Sequence, residues 1–523
     1  MILPHPVPSA EEAPGRARTA LTVFLCTLLF LTPACRTSGD PKAITPPVSL
    51  PETLLPRDAA LETAPRPSLW WRSFEDSGLE RMIGRVFSAN LELRSAWHRL
   101  RQAQETARAS GSALWPSADL QLSGSRRRST ASSGFFSSFS AASGGQSQFA
   151  NTAFYSNDFS VQVVPSYEVD LWRRIASSKN AADFEAAASR HLAEAVGLTL
   201  ASRTAELWYT IAELNLRERI LKKRIETARR IRDLTRLRYL HGLTSLTELE
   251  SRDQELSALQ ELLPRLRTLR QQTRNLLAVL SGRAPQEMPP VRSSYLPSCG
   301  PLPDPGLPAA LLERRPDVRA ALEAAIAANY RIEAARAEQF PLLRLSGTIG
   351  GSSSRTNRIF EDWVGSIAAS LSQSLFDAGR RQANVERARA AAAERITEYG
   401  RTVLTALREV DDAVTRERNL EDVSRSITRR LRLARATFDG ARNRYAAGQI
   451  DYLELLRARL RLLELEQAAL LVRRDRVLAR VALFQALGAD WSLAPDADVT
   501  PQTVASREDN LGSARLSDSR GSS

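Results

Sequence analysis

A Tyr-x-x-Gly segment occurs twice in this chain, and no other sequence feature restricts the possible fold as strongly. In each copy a Tyr precedes a central Gly, and a second Gly ends the helical pattern downstream. The two sets are Tyr239, Gly242 and Gly282, then Tyr445, Gly448 and Gly488, all at an offset of 206 residues. A self-match at constant spacing indicates an internal duplication. Because each central Gly lies between two long helical patterns, as a tight turn requires, each half is predicted to be a helical hairpin.

Two segments before each hairpin alternate between apolar and polar residues, with the period of two that marks β-strands. The last of them carries Ile367 and Leu371 on one face, and its other face is rich in serine. The Pro-rich residues 283–308 link the halves, and the Ser-rich residues 129–157 are predicted to be a loop. The first half is predicted to span 67–282, with strands at about 117–128 and 158–172 and a turn near 242. The second is predicted to span 309–491, with strands at about 342–352 and 363–377 and a turn near 448.

The hairpins are too long for a compact domain. About 65 helical residues separate Arg380 from Tyr445, which corresponds to about 100 Å of helix. On the returning helix the apolar residues follow a 4-3 spacing from Leu453 to Phe484. This spacing predicts a coiled-coil seam.

Four strands with one apolar face suit a wall between lipid and water, but four strands cannot close into a barrel. Open sheet edges are not tolerated in hydrocarbon. The chain therefore either does not insert or assembles with copies of itself, and three copies would supply about twelve strands. The alternative is a soluble β-layer packed on helices.

The N-terminal residues 1–34 have the features of a secretory signal. Arg16 and Arg18 precede an apolar run that is too short to span a bilayer. The run ends in Ala34-Cys35, which resembles a bacterial lipobox, so Cys35 is expected to be lipidated; a plain signal peptide with an incidental Cys is the alternative. Residues 35–66 are interpreted as a lipidated tether, and residues 492–523 as a disordered tail.

The composition argues against an enzyme and against a nucleic-acid-binding protein. The net charge is +13, but arginines alternate with glutamates along helical faces and form no basic block. Three cysteines and four histidines contain no pair at metal-ligand spacing. No phosphate-binding loop and no nucleophile elbow is present. Neither a metal nor another cofactor is expected.

Several motifs between Trp70 and Trp491 resemble those of one family. They are Trp70-Trp71 with Phe74, the segment 312–318 (LERRPDV), the segment 375–380 (LFDAGR), the segment 486–491 (ALGADW) and both Tyr-x-x-Gly turns. The chain resembles the TolC-like outer-membrane efflux proteins, in particular the lipoprotein branch that serves resistance-nodulation-division pumps. The resemblance implies a mainly α fold with transmembrane β, in which a homotrimer forms a helical tunnel continued by a 12-stranded outer-membrane barrel. It also implies an inner-membrane pump and a periplasmic adaptor as partners.

The resemblance also assigns roles to residues at the turns. The expected adaptor-docking residues are Gly242, Gly448, Tyr239 and Tyr445. The expected gate residues are Tyr445 bonded to Glu248, with Glu454 and Arg457 at the aperture. Two positions depart from the family pattern. Arg173 stands where a Gly usually follows the Trp, and Ile450 stands where a basic residue usually strengthens the gate.

Two other functions are compatible with the sequence. A type I secretion duct would share the fold but would pass polypeptides. A periplasmic coiled-coil tether would need no pore at all, so conductance distinguishes it from any channel.

Overall fold

The structure is a computed structural model that describes residues 45, 47–48, 63–64, 69–130, 153–303, 313–361 and 363–489. The chain divides into two units, Met1–Thr45 and Pro46–Ser523, and the account below concerns the second. The expected signal peptide, Cys35, most of the tether and the C-terminal tail lie outside the described residues.

Seven α-helices and six strands are present in the described part of the chain. The helices are α1 (Ser77–Ala89), α2 (Leu91–Ser112), α3 (Arg174–Leu240), α4 (Leu246–Leu280), α5 (Pro316–Ala337), α6 (Arg380–Ala446) and α7 (Tyr452–Ala486). The strands are β1 (Thr63–Ala64), β2 (Ser117–Thr130), β3 (Ala153–Val169), β4 (Leu302–Pro303), β5 (Leu342–Ser353) and β6 (Trp363–Ser372). Short 3₁₀ helices cover Trp70–Phe74, Pro285–Glu287 and Thr356–Arg358. None of the described helices combines the length and the apolar character needed to cross a membrane.

The duplication extends to the lengths of the helices, so the predicted pair of long hairpins is confirmed. Helices α3 and α6 have 67 residues each, and α4 and α7 have 35 residues each. Their first and last residues all correspond at the offset of 206. At 1.5 Å per residue the longer helices extend about 100 Å.

The strands β2, β3, β5 and β6 form one antiparallel sheet in that order. Along β3, Val161, Val163 and Val169 share one face, and the paired residues of β2 and β5 on that face are mostly aliphatic. The other face carries serines that bond across strands, such as Ser123 to Ser160 at 2.7 Å. Every residue of β6 is exposed, and no described helix covers the sheet. The expected alternative, a soluble β-layer packed on helices, is therefore not what the described chain forms.

Strand bounds differ from the sequence prediction at both ends of β3 and at the end of β6. Residues 153–157, predicted as loop, belong to β3 because they pair with residues 126–130 of β2. Strand β3 ends at Val169 because the Asp170 carboxylate caps α3, accepting bonds from the backbone N–H of Ile175 at 3.0 Å and of Ala176 at 2.8 Å. Strand β6 likewise ends at Ser372, five residues before the predicted bound, since Asp377 bonds to the backbone N–H groups that begin α6.

The largest hydrophobic core in the described part of the chain lies where the 3₁₀ helix Trp70–Phe74, α1, α3, α4 and α7 meet. Trp70, Trp71 and Phe74 are almost completely buried there. The Trp70 ring stacks on Phe484 with centroids 5.6 Å apart, and Phe74 packs edge-on against Tyr209 at 5.5 Å. The aromatic motif at the start of the fold therefore joins the first segment of the chain to the last helix.

A buried guanidinium joins the second half of the fold. Arg315, which is 6% exposed, forms two hydrogen bonds with Asp317, at 3.0 and 2.6 Å. It also donates to Glu409 at 2.8 Å and to the carbonyl of Ala486 at 3.0 Å. Burial alone would lower the pKa of Arg315, but the hydrogen bonds and charges of the two carboxylates raise it. One side chain thus holds α5, α6 and the end of α7 together.

We expect Arg315→Lys to destabilise the protein by about 1.5–3 kcal/mol, because an ammonium cannot satisfy the planar carboxylate pairing. Thermal unfolding followed by circular dichroism measures the change. The neighbouring Arg314, which is exposed, provides a control, since Arg314→Lys should change stability by less than about 0.5 kcal/mol. Equal effects of the two substitutions would contradict this role of Arg315.

Glu213 of α3 is a buried carboxylate without direct hydrogen bonds among the described residues. It is 1% exposed, and both of its carboxylate oxygens lack a hydrogen-bond partner there. Arg217 and Arg474 approach it only to 3.8 and 3.9 Å. Burial raises the pKa of Glu213, and the charges of Arg474 and Arg217 oppose this rise.

A raised pKa in the folded state makes Glu213 unfavourable for stability once pH exceeds its unfolded value. We therefore expect Glu213→Gln to raise the melting temperature more at about pH 8 than at about pH 4. Glu218 is the opposite case, because Lys222 and Arg270 lower its pKa although burial alone would raise it. Glu218→Gln should therefore destabilise more at the higher pH. Matching pH dependence of the two variants would contradict the prediction.

Candidate functional site at the helical turns

The two hairpin turns have the same backbone geometry. In the first, the N–H of Gly242 donates to the carbonyl of Tyr239 at 2.9 Å, and the N–H of Leu243 donates to that of Arg238 at 2.8 Å. The equivalent bonds in the second turn, 206 residues later, have the same lengths. This pair of bonds is the Schellman motif, which satisfies the last carbonyls of a helix.

The central glycines adopt a conformation that other residues rarely adopt. Gly242 has φ +68° and Gly448 has φ +70°. A Cβ at either position would meet no atom within 4 Å. Gly282 and Gly488, at the other ends of the hairpins, also have positive φ, but a Cβ would collide with Ala89 at Gly282 and would be in tight contact with Arg315 at Gly488. The tips therefore require glycine for conformation alone.

Each turn ends at a capped helix. The Ser245 hydroxyl accepts a hydrogen bond from the N–H of Glu248 at 3.2 Å. The Asp451 carboxylate accepts one from the N–H of Glu454 at 2.8 Å. An acid therefore lies in the first turn of α4 and of α7, where the helix dipole favours negative charge.

The structure brings two of the expected gate residues together. The Glu248 carboxylate lies 3.7 Å from Arg457 of α7. It also accepts hydrogen bonds from Arg252, one turn along α4, at 2.9 and 3.1 Å. These two arginines are its ionic partners among the described residues of one chain. The Glu454 side chain is exposed beside them.

The expected tyrosines are both partly exposed. Tyr239 is 37% exposed and Tyr445 is 42% exposed. The Tyr445 ring lies against Tyr452, with centroids 5.4 Å apart. The bond expected between Tyr445 and Glu248 is not among the contacts described within a single chain, and it stays a prediction about the assembled protein.

An ion pair across the turns was not anticipated from the sequence. Arg238, at the end of α3, donates to Asp451 at 3.2 Å. Beneath it, Ile231 packs with Leu453 and Leu456 of α7. These contacts join the first hairpin tip to the second, so the two turns lie side by side. The Asp-x-x-Glu pattern at 451–454 indicates a helix cap in the sequence. No sequence signal indicates that Asp451 pairs with Arg238, which is 213 residues away.

Exposed leucines around the first turn were also missed. They recur at intervals of three residues and are Leu237, Leu240, Leu243 and Leu246, between 49% and 67% exposed. Because α3 ends at Leu240, the stripe continues through the turn onto α4. Exposed apolar clusters on a soluble surface mark interaction sites. In the sequence, the spacing of three residues between these leucines was the signal that could have revealed the stripe.

The unusual residue at the start of α3 retains the left-handed conformation of its counterpart in the second half. Arg173 has φ +59°, and its counterpart Gly379 has φ +82°. A left-handed conformation costs a side-chain-bearing residue about 1–2 kcal/mol. The neighbouring Trp172 compensates by stacking on Phe340 with centroids 4.8 Å apart and donating from its indole to the carbonyl of Pro341 at 2.8 Å.

The described residues contain no group of three or more His, Cys, Asp or Glu side chains placed to hold a metal ion. The site thus consists of turns, exposed apolar side chains and ion pairs.

Comparison with known proteins identifies the class of this fold. The solved structure of the outer-membrane channel OprN superposes with a TM-score of 0.73 and 25% identity, covering 86% of this chain and 99% of OprN. Among sequence relatives, the pyoverdine export outer membrane protein OpmQ of Pseudomonas aeruginosa is 28% identical, covering 81% of this chain and 87% of OpmQ. The outer membrane protein OprJ of the same species is 29% identical, covering 83% of this chain and 88% of OprJ. The fold is that of an outer-membrane channel with long helices.

The model of the outer membrane efflux protein family matches residues 82–283 and 307–489. The chain belongs to this family. The expectations of a TolC-like fold, an outer-membrane location with a long periplasmic part and a role as an efflux channel are thereby confirmed.

We expect Gly448→Ala to destabilise the protein by about 1–2 kcal/mol, because alanine is strained at positive φ. Gly440 provides a matched control in the same helix hairpin, since it has open space around it but no positive φ. Gly440→Ala should stabilise the helix by about 0.5–1 kcal/mol. Melting temperatures of both variants test the pair, and a shift of the same sign in both would contradict the turn assignment.

Proposed function

We propose that three copies of this chain form a passive exit duct for small molecules, drugs or metal ions. An inner-membrane resistance-nodulation-division pump would deliver them through a periplasmic adaptor. The duct itself would perform no catalysis and use no cofactor, since the pump supplies the energy.

The observation that carries this proposal is the sheet with two unpaired edges. Strands β2 and β6 lie at its edges, and both faces are uncovered in one chain. Unpaired backbone groups are not tolerated in hydrocarbon. Pairing β2 of one copy with β6 of the next satisfies both edges. Three copies then give about twelve strands, an even number within the range of closed transmembrane barrels.

The helices support the periplasmic part of the duct. Because α3 also packs against α5 and α7, each copy supplies a curved wall of helices that neighbouring copies would extend. At about 100 Å, the long helices reach far from the membrane. The turns at Gly242 and Gly448 would then form the far end of the tunnel, where the adaptor docks. The exposed leucines around the first turn and the half-exposed Tyr239 and Tyr445 provide the apolar surface for that contact.

The class of cargo follows from the relatives rather than from the site. OpmQ is named for the export of pyoverdine, a small molecule, which favours small molecules over the polypeptides of a type I secretion duct. We further propose that Cys35 is acylated and anchors the mature N-terminus to outer-membrane lipid, because Cys35 follows a short apolar run and Ala34. The barrel would insert even without this anchor.

The gate is proposed at the tip. Tyr445 would donate to Glu248 in the closed assembly, and Arg252 and Arg457 hold that carboxylate in place. Glu454 would repeat three times around the opening and favour cations. Arg457 would partly offset its charge.

Conductance of the trimer in planar bilayers tests the proposal. The wild-type protein should conduct, whereas a coiled-coil tether would not. Tyr445→Phe with Glu248→Ala should raise the conductance, because each copy loses a hydrogen bond worth about 1.5–3 kcal/mol when shielded and less at a wet tip.

Two control variants separate closure from charge. Tyr239→Phe removes the equivalent hydroxyl from the first turn and should leave conductance unchanged. Glu454→Gln should lower the preference for cations without opening the pore. Unchanged conductance of the double variant in correctly assembled trimers would refute the gate, and absence of any conductance from wild-type trimers would refute the duct.

A further inference from the structure

Two arginines lie on the apolar face of the sheet, beyond its aliphatic part. On β2 this face carries Leu120 and Leu122, and then Arg126 and Arg128. The register is set by pairing with β3, where Leu122 lies opposite Val161. Arginine is costly on a lipid-facing surface at the bilayer centre and tolerated near its boundary. The position of these arginines along the strand therefore decides what they face.

The apolar part of β3 has the length of a membrane core. It extends over eleven residues from Val169 to Phe159, and the ten steps between them correspond to about 33 Å along the strand. Transmembrane strands tilt by about 35–45°, so this length corresponds to about 25 Å of membrane thickness. Residue 169 lies next to the helices and residue 159 lies towards the far end of the sheet. The far boundary of the hydrocarbon is therefore at Phe159.

Arg126 and Arg128 lie just outside that boundary. They pair with Asn157 and Tyr155, two and four residues beyond Phe159, or about 5–10 Å further along the membrane normal. This is the depth of lipid headgroups. Because the helices are periplasmic in this family, the far boundary belongs to the outer leaflet of the outer membrane.

The tyrosine holds both guanidinium groups in one place. The Cζ atom of Arg126 lies 4.9 Å from the centroid of the Tyr155 ring, and that of Arg128 lies 5.9 Å from it. Cation–π attraction accounts for this arrangement. It also brings two like charges close together, which is unfavourable unless an anion joins them.

The described residues of β2 and β3 offer no such anion on this face. At the paired positions on this face, the described parts of β2 and β3 contain no Asp or Glu. The sequence from 129 to 157 also contains neither residue type. The acids at the paired positions of the two strands, Asp119 and Asp158, lie on the opposite face, where they pair with Val164 and Ser125.

We propose that Arg126, Arg128 and Tyr155 bind the phosphate group of a glycolipid headgroup in the outer leaflet. Guanidinium forks pair with phosphate oxygens in a bidentate manner, and Asn157 opposite Arg126 adds a side-chain donor. The site is distinct from the duct and its gate, so export does not depend on it. It fixes the depth of the barrel in the membrane.

Titration with a fluorescent, bisphosphorylated lipid A tests the site, using detergent-solubilised trimers of the full chain. Arg126→Gln with Arg128→Gln should raise the apparent Kd about tenfold or more. The matched control is Arg127→Gln. It removes the same charge from the residue in between, which pairs with Ser156 on the opposite face, and should change Kd by less than about twofold. Arg126→Lys with Arg128→Lys retains the charges without the planar forks and should give an intermediate Kd.

Dephosphorylated lipid A provides a test with the wild-type protein alone and should bind as weakly as lipid A binds to the double Gln variant. Equal affinity for the two lipids, or an equal loss in the Arg127→Gln control, would overturn the proposal. Bilayer conductance of the double Gln variant should match wild type. If wild-type trimers conduct but do not bind lipid A, this site is refuted and the duct is unaffected.

Discussion

Backbone hydrogen bonding at the sheet edges determines the organisation of this protein. The sheet ends at β2 on one side and β6 on the other, and hydrocarbon offers no water to satisfy the unpaired groups there. Since the described part of one chain supplies four long strands, closure has to come from other copies. The same requirement explains why neither face of the sheet is covered by helices: one face meets lipid and the other meets the channel. The sheet can thus complete its backbone hydrogen bonds in the membrane only when several copies assemble.

Much of this architecture could be predicted from the duplicated sequence, and the failures have local causes. The offset of 206 residues and the positions of the glycines anticipated helices whose ends correspond throughout. The extension of β3 to Ala153 was missed because residues 153–157 carry no apolar alternation and are ordered by pairing with β2. The early ends of β3 and β6 depend on capping by Asp170 and Asp377, where short-range hydrogen bonds override the alternating pattern.

The tip was foreseen only in part. The glycines and caps could be identified because their signals are local, as in the Ser245 and Asp451 caps. The contact of Glu248 with Arg457 and the pair of Arg238 with Asp451 join different hairpins. Such contacts depend on how α3 packs against α7, which no local pattern specifies. Arg173 is the opposite case, because its sequence departs from the family pattern but its backbone conformation does not. Stacking by the neighbouring Trp172 preserves a left-handed turn without glycine.

The four glycines that end the long helices differ in how strongly their surroundings restrict substitution. At Gly282 any side chain would collide with the backbone of Ala89, and at Gly488 it would be in tight contact with Arg315, so close packing restricts the sequence at both positions. At Gly242 and Gly448 the surroundings are open, and only the turn conformation matters. The exposed turn residues that make no contact across the tips can therefore be replaced without disturbing the packing, provided that each glycine is kept. Recognition of a new partner can thus arise at the tip without any change in the core.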